Sequence, residues 1–458
     1  MKRRDFLKGM TAATAVGAAL AVGCRPTNAP SNATSNPTSE PEGKMTMRTD
    51  SHGQQVSLLG YGMMRLPVEG GGSARENPNA PIDQEIVNEM VDYAISHGVN
   101  YFDTSPVYCR GESETVTGKA LSRHPRTDYL IATKMSNFKT FTYDASVNMY
   151  HQSMRNLQVD YFDYYLLHNV GTPNGFKNRF VDNGMLDFLI NERAEGRIRN
   201  LGFSFHGVQE EYDLLMQLHD KVHWDFVQIQ MNYVDWHFAH EINPNNVNAD
   251  YLYGELEQRN IPAIIMEPLL GGRLASLNPH TTELLKTQSP QSSLASWAFR
   301  YCGSKPLVLT SLSGMTYMEH LQDNIHTHSP LKPLTDAELS LLERVADEIA
   351  HYPSVPCTAC QYCMPCPFGI DIPSVFAHYN KSINEGNVVS EGSVEQREFR
   401  RARKAYLQSY DKSVSRMRQA DHCIACGECK LHCPQNIDIP QKMQIIEKYT
   451  NHLKDSLL

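Results

Sequence analysis

Eight of the eleven cysteines fall in two short runs near the C-terminus. The first reads Cys357-Thr-Ala-Cys360-Gln-Tyr-Cys363-Met-Pro-Cys366-Pro. The second reads Cys423-Ile-Ala-Cys426-Gly-Glu-Cys429-Lys-Leu-His-Cys433-Pro. Thiolates three residues apart on a turning backbone can converge on one face of a cubane, and the second run has the spacing that ligates a [4Fe–4S] cluster. Two [4Fe–4S] clusters, moving electrons singly, are therefore expected. Disulfides fit worse, because cysteines so close in sequence pair with strain. Zinc fits worse too, because its sites separate two Cys-x-x-Cys pairs by a long loop. The first run departs from the second only in its last gap, two residues instead of three.

The runs belong to a longer repeat. Cys366-Pro-Phe-Gly-Ile-Asp-Ile-Pro373 returns as Cys433-Pro-Gln-Asn-Ile-Asp-Ile-Pro440, each leading into a helix-like pattern. Between them, about 385–420 is charged and helical in pattern, with Arg400, Arg401, Arg403 and Lys404 on its expected surface. This organisation resembles the helical dicluster ferredoxin module. In two-cluster ferredoxins the cysteine before proline ligates the other cluster. The resemblance thus implies one set of Cys357, Cys360, Cys363 and Cys433, and another of Cys423, Cys426, Cys429 and Cys366. The residues by themselves leave uncrossed ligation open.

At the other end, Arg3-Arg4 precedes Phe6-Leu7 and an apolar run from Met10 to Gly23, too short to span a bilayer. Residues 1–24 resemble a twin-arginine export signal, a route that carries folded proteins and so suits clusters inserted before export. Ala21-Val22-Gly23-Cys24 resembles a lipobox, although Ala19-Leu20-Ala21 also suits ordinary signal peptidase. Residues 25–44 are rich in Pro, Ser, Asn and Thr and read as a flexible tether. A periplasmic protein, or one held at a membrane face through Cys24, is expected.

The catalytic elements must come from the middle. Strand patterns recur at Val56–Leu66, Asn100–Thr104, Tyr129–Lys134, Tyr161–His168, Ile198–Phe205, Phe226–Asn232, Ala263–Leu269 and Leu307–Leu312. Helix patterns such as Gln84–His97, Ala145–Leu157 and Leu294–Tyr301 lie between them. Alternation of this kind predicts an α/β fold, a (β/α)8 TIM barrel over 45–334 with its chemistry at the C-terminal strand ends. A connecting helix over 335–352, patterned at Asp336–Ala350, then leads into a small, mostly helical ferredoxin-like domain at 353–458.

Four residues fall at or just beyond strand ends: Asp103, Tyr108, Lys134 and His168. With Asp103-Thr-Ser-Pro-Val-Tyr108 and Glu112-Ser-Glu114 after it, the set resembles the catalytic tetrad of the aldo/keto reductase family. The resemblance implies reversible carbonyl–alcohol interconversion, with Tyr108 as general acid and His168 orienting the substrate oxygen. Lys134 is expected to bring the Tyr108 phenol down toward working pH, and Asp103 to hold Lys134 charged and aimed.

The cofactor pattern is thinner. Ser204 and Gln228 match positions that touch the nicotinamide in the family, while Phe205 stands for the usual asparagine and Met266 for a stacking tyrosine. Gly314-Met315-Thr316 and His320 replace the cationic phosphate clamp; Asp323 and Asn324 keep the adenine-side pattern, and Arg273 after Gly271-Gly272 is a candidate pyrophosphate contact. The clamp stretch supplies no fixed cation for a 2′-phosphate, which disfavours NADP(H) and leaves open NAD(H) or no tightly held nicotinamide. Cys109, Cys302, His206, Trp224, Trp236 and Trp297 read as structural. A net charge of −9 argues against a nucleic-acid partner. The expected partners are a small carbonyl or alcohol substrate and a redox protein or membrane electron carrier. Two other readings compete with an enzyme wired to its clusters. One is an NAD(H)-dependent reductase with structural clusters, the other a tethered electron-transfer protein with an idle barrel.

Overall fold

The computed structural model describes residues 43–171, 174–243, 245–390 and 392–456. The expected export signal, Cys24 and nearly all of the expected 25–44 tether lie outside the described residues. Among the described residues no helix is long and apolar enough to cross a membrane.

The expected eight strands are present and close into a parallel barrel. Strands β1 (Met47–Thr49) and β2 (Gln55–Ser57) form an antiparallel hairpin. The barrel strands are β3 (Leu59–Gly62), β4 (Tyr101–Asp103), β5 (Leu130–Met135), β6 (Phe162–Leu167), β7 (Ile198–Phe205), β8 (Phe226–Gln230), β9 (Ala263–Met266) and β10 (Val308–Ser313). They follow chain order around the barrel, and β10 closes on β3. The strand expected at Val56–Leu66 is therefore two pieces. The Ser57 hydroxyl donates to Leu59 O at 2.7 Å and its N–H to Asn100 Oδ1 at 2.8 Å, which turns the chain between hairpin and barrel.

Strands buried on both faces read as continuous apolar runs because helices cover them outside and side chains fill them inside. Tyr101, Leu130, Ala132, Tyr164, Leu166, Phe226, Ile264, Leu309 and Leu312 pack together with Val56 of the hairpin. Helix Asp336–Ala350 starts where the capping box of Thr335 and Glu338 satisfies the first free amides, and buries Leu341, Leu342, Val345, Ala346 and Ile349.

The C-terminal region has its own core, built by Val375, Phe376, Phe399, Tyr406, Tyr410, Met443, Ile446 and Leu453. Its helices are Ile372–Asn384, Gln396–Ser413 and Ile439–Asp455. The repeat in the sequence is a repeat in backbone. Ala359 (φ 49°) and Gln361 (φ 67°) correspond to Ala425 (φ 58°) and Gly427 (φ 83°), and Gly369 (φ 78°) to Asn436 (φ 48°). Asp371 and Asp438 then cap equivalent helices, each with proline in the first turn.

Candidate active site

Strand ends set the tetrad. Asp103 closes β4, Lys134 lies near the end of β5, and His168 follows β6. Tyr108 opens a single turn in which Cys109 and Arg110 both adopt positive φ (49° and 57°), a conformation that costs a non-glycine residue ~1–2 kcal/mol. Contacts hold that turn in place. The Ser113 hydroxyl donates to Met63 O and meets the Thr104 hydroxyl, both at 2.7 Å, and the Cys109 thiol faces Met63 O and Met64 O. Glu114 is buried and accepts from the Thr133 hydroxyl at 2.7 Å.

Lys134 Nζ donates to Asp103 Oδ1 at 2.6 Å and to Thr104 O at 2.8 Å, and lies 4.8 Å from the Tyr108 ring centroid. The Tyr108 and His168 rings meet edge to face with centroids 5.9 Å apart. The four residues are thus brought together as the sequence implied. The electrostatics correct one expectation. Burial pushes the Tyr108 phenol well up, and the neighbouring Tyr362 and Asp103 add to it. Tyr108 is therefore held protonated, the state a proton donor needs. Burial pushes Asp103 up and Lys134 down, and their mutual attraction opposes both.

His168 is neutral, because burial and then the Lys134 and Arg179 cations push it well below the usual imidazole range. Its Nδ1 faces the Ser136 hydroxyl at 2.5 Å, and its carbonyl accepts from Arg179 Nη2 at 2.9 Å. Its Nε2 faces the Tyr362 hydroxyl at 3.3 Å. Ser136, Arg179 and Tyr362 escaped sequence reasoning. An aromatic residue inside a cysteine run was the signal that could have exposed Tyr362.

At the expected ring end of a cofactor, Ser204 and Gln228 are buried, and Gln228 Oε1 has no hydrogen-bond partner among the described residues. These two fit a carboxamide. The residues of the dinucleotide end are engaged with neighbours, with Arg273 Nη1 left without a partner among the described residues. Arg273 Nη2 donates to the Ser354 hydroxyl at 2.7 Å, Asp323 accepts from Ser293 at 2.7 Å, and Asn324 donates to Ser313 at 3.0 Å. Phe205 packs on Tyr212, ring centroids 4.9 Å apart. Arg65 reaches the clamp stretch from elsewhere: its aliphatic stem lies against Gly314, and its carbonyl accepts from the Thr316 hydroxyl at 2.8 Å.

The cysteines fit clusters. Cys357, Cys360, Cys363 and Cys433 line one pocket, walled by Ile372, Pro373, Phe376, Ile437 and Ile439. That is the crossed set, and Cys429 correspondingly neighbours Cys423, Cys426 and, from the first run, Cys366. Among the described residues no three His, Cys, Asp or Glu side chains converge on a single ion, as expected where each thiolate takes its own iron. Cys302 donates to Met231 O, and Trp224 and Trp297 are buried in the barrel core, as structural residues do.

Comparison with known proteins agrees with this geometry. A 4Fe–4S dicluster domain model matches residues 356–437. L-galactose dehydrogenase of Arabidopsis thaliana is 24% identical over 65% of this chain and 92% of its own length. NADH-specific methylglyoxal reductase of Escherichia coli is 23% identical over 64% of this chain and 96% of its own. Among solved structures, an aldo-keto reductase of Bacillus halodurans in its holo form shares the fold (TM-score 0.52, 22% identity, 66% of this chain and 96% of that one). With residues 58–347 matching the family model, this chain belongs to the aldo/keto reductase family and carries a C-terminal 4Fe–4S dicluster domain.

Proposed function

We propose that this protein is an exported iron–sulfur oxidoreductase that interconverts a small carbonyl compound and its alcohol, with electrons routed through two [4Fe–4S] clusters. The observation that carries the reading is the contact between the two halves of the chemistry. Tyr362, which stands between Cys360 and Cys363, reaches His168 of the tetrad. Bound clusters would supply electrons one at a time, and two of them match the two electrons of the exchange. Their source is a redox protein or a membrane electron carrier.

The chain's own residues do the rest. Reduction adds two electrons and two protons, and Tyr108 gives the proton that ends on the oxygen. Lys134 sits beneath the Tyr108 ring and stabilises the phenolate left behind. Neutral His168, fixed by Ser136, orients the substrate oxygen. The names of the relatives favour a sugar or a small aldehyde as substrate class. Export rests on Arg3-Arg4 and Phe6-Leu7, and a tether on Cys24. A second reading, NADH-driven reduction with structural clusters, draws on the unpaired Gln228 Oε1.

The test is anaerobic. Clusters are reduced with dithionite, excess reductant is removed, and methylglyoxal or an aldose is added while the visible absorbance is followed. Reoxidation by the wild type but not by Tyr108→Phe is the expected result. Stable reduced clusters, with NADH alone driving carbonyl reduction, would overturn the reading in favour of the second.

A further inference from the structure

The dicluster domain enters the barrel mouth. Gly271 has φ +69°, and a Cβ there would lie 2.4 Å from Thr358 Cα, so the cluster loop presses backbone to backbone on the Gly271–Arg273 turn. Arg273 is held by Ser354, Arg65 Nη2 donates to Thr358 O at 3.3 Å, and Gln361 Nε2 donates to Arg75 O. At the end of the neighbouring strand β8, Gln435 Nε2 donates to Gln230 Oε1 at 2.9 Å. The loop ends in Tyr362, which lies against Phe138 and His168 with ring centroids 6.3 and 6.4 Å away. Two of these contacts use barrel positions where a dinucleotide is expected: the Gly271–Arg273 turn, and Arg65, whose stem lies against Gly314.

We propose that the segment Ser354–Tyr362 takes the seat of a dinucleotide at the barrel mouth, with the Tyr362 hydroxyl on the His168 nitrogen that faces the substrate. Two consequences follow. The docked, cluster-loaded protein excludes NADH and NADPH, and a substrate oxygen must displace the Tyr362 hydroxyl from Nε2. The second consequence rests on the carbonyl–alcohol reading; the first does not.

The experiment is anaerobic isothermal titration of the full cluster-loaded chain with NADH and, separately, NADPH, at concentrations up to ~1 mM, the upper end of usual Michaelis constants. Absorbance of the same sample certifies intact clusters. No saturable binding of either nucleotide is the expected result. Saturable binding of either would overturn the inference and leave the carbonyl chemistry standing. Because titration needs no turnover, a protein that failed to reduce any carbonyl would sink the proposed function without touching this result.

Discussion

Replacing Lys134 by methionine isolates the charge pair at the centre of the site. The Lys134 side chain is fully buried and that of Asp103 is 4% exposed, with Nζ and Oδ1 2.6 Å apart. Asp103 Oδ2 has no hydrogen-bond partner among the described residues, so Lys134→Met strands a carboxylate that no other side chain can satisfy. Removing one partner of a buried pair costs ~3–5 kcal/mol, and the bareness of this carboxylate puts the expectation in the upper half of that range. The double variant Lys134→Met/Asp103→Asn carries no stranded charge and should recover most of the loss. The pH dependence has a definite sign. In Lys134→Met the folded carboxyl has a pKa above its unfolded value of ~3.9, so the folded state binds the proton more tightly. Stability then falls as pH rises from ~4, by up to ~1.4 kcal/mol per unit, and levels off above the folded pKa. Guanidinium denaturation followed by tryptophan fluorescence reads the barrel alone, because Trp224, Trp236 and Trp297 all lie in it. A cost below ~1 kcal/mol at pH 8, or no recovery in the double variant, would refute the buried-pair argument.

Three further outcomes are expected. Cys357→Ala/Cys433→Ala should keep about half the iron and one cluster signal by EPR, since both cysteines line one cavity; loss of both clusters would mean uncrossed ligation. Tyr362→Phe should lower KM for methylglyoxal about 5-fold, the worth of one hydrogen bond that substrate no longer has to break, with cluster spectra unchanged; a raised KM would show that the hydroxyl holds substrate instead. His328, buried and held near 4, contributes stability present above the unfolded value of ~6.5 and lost as pH falls toward 4. The denaturation midpoint should therefore drop between pH 7 and pH 5, and His328→Phe should flatten that slope.

Local chemistry was legible in the sequence. Cysteines at fixed spacing announce clusters because thiolate ligation depends on short-range backbone geometry. Eight apolar strand patterns announce a barrel because each strand is buried on both faces. Asp103, Lys134 and His168 could be found because strand ends are local features too. What only the tertiary structure decided are relations between residues far apart in the chain. The pairing of Cys433 with the first run arises within the dicluster domain and the arrival of Arg65 at Gly314 within the barrel, while the seating of Thr358 on Gly271 and the reach of Tyr362 to His168 arise from how one domain docks on the other. The state of Tyr108 belongs there as well, since burial and not the adjacent lysine sets its proton affinity, and burial is a property of the assembled fold.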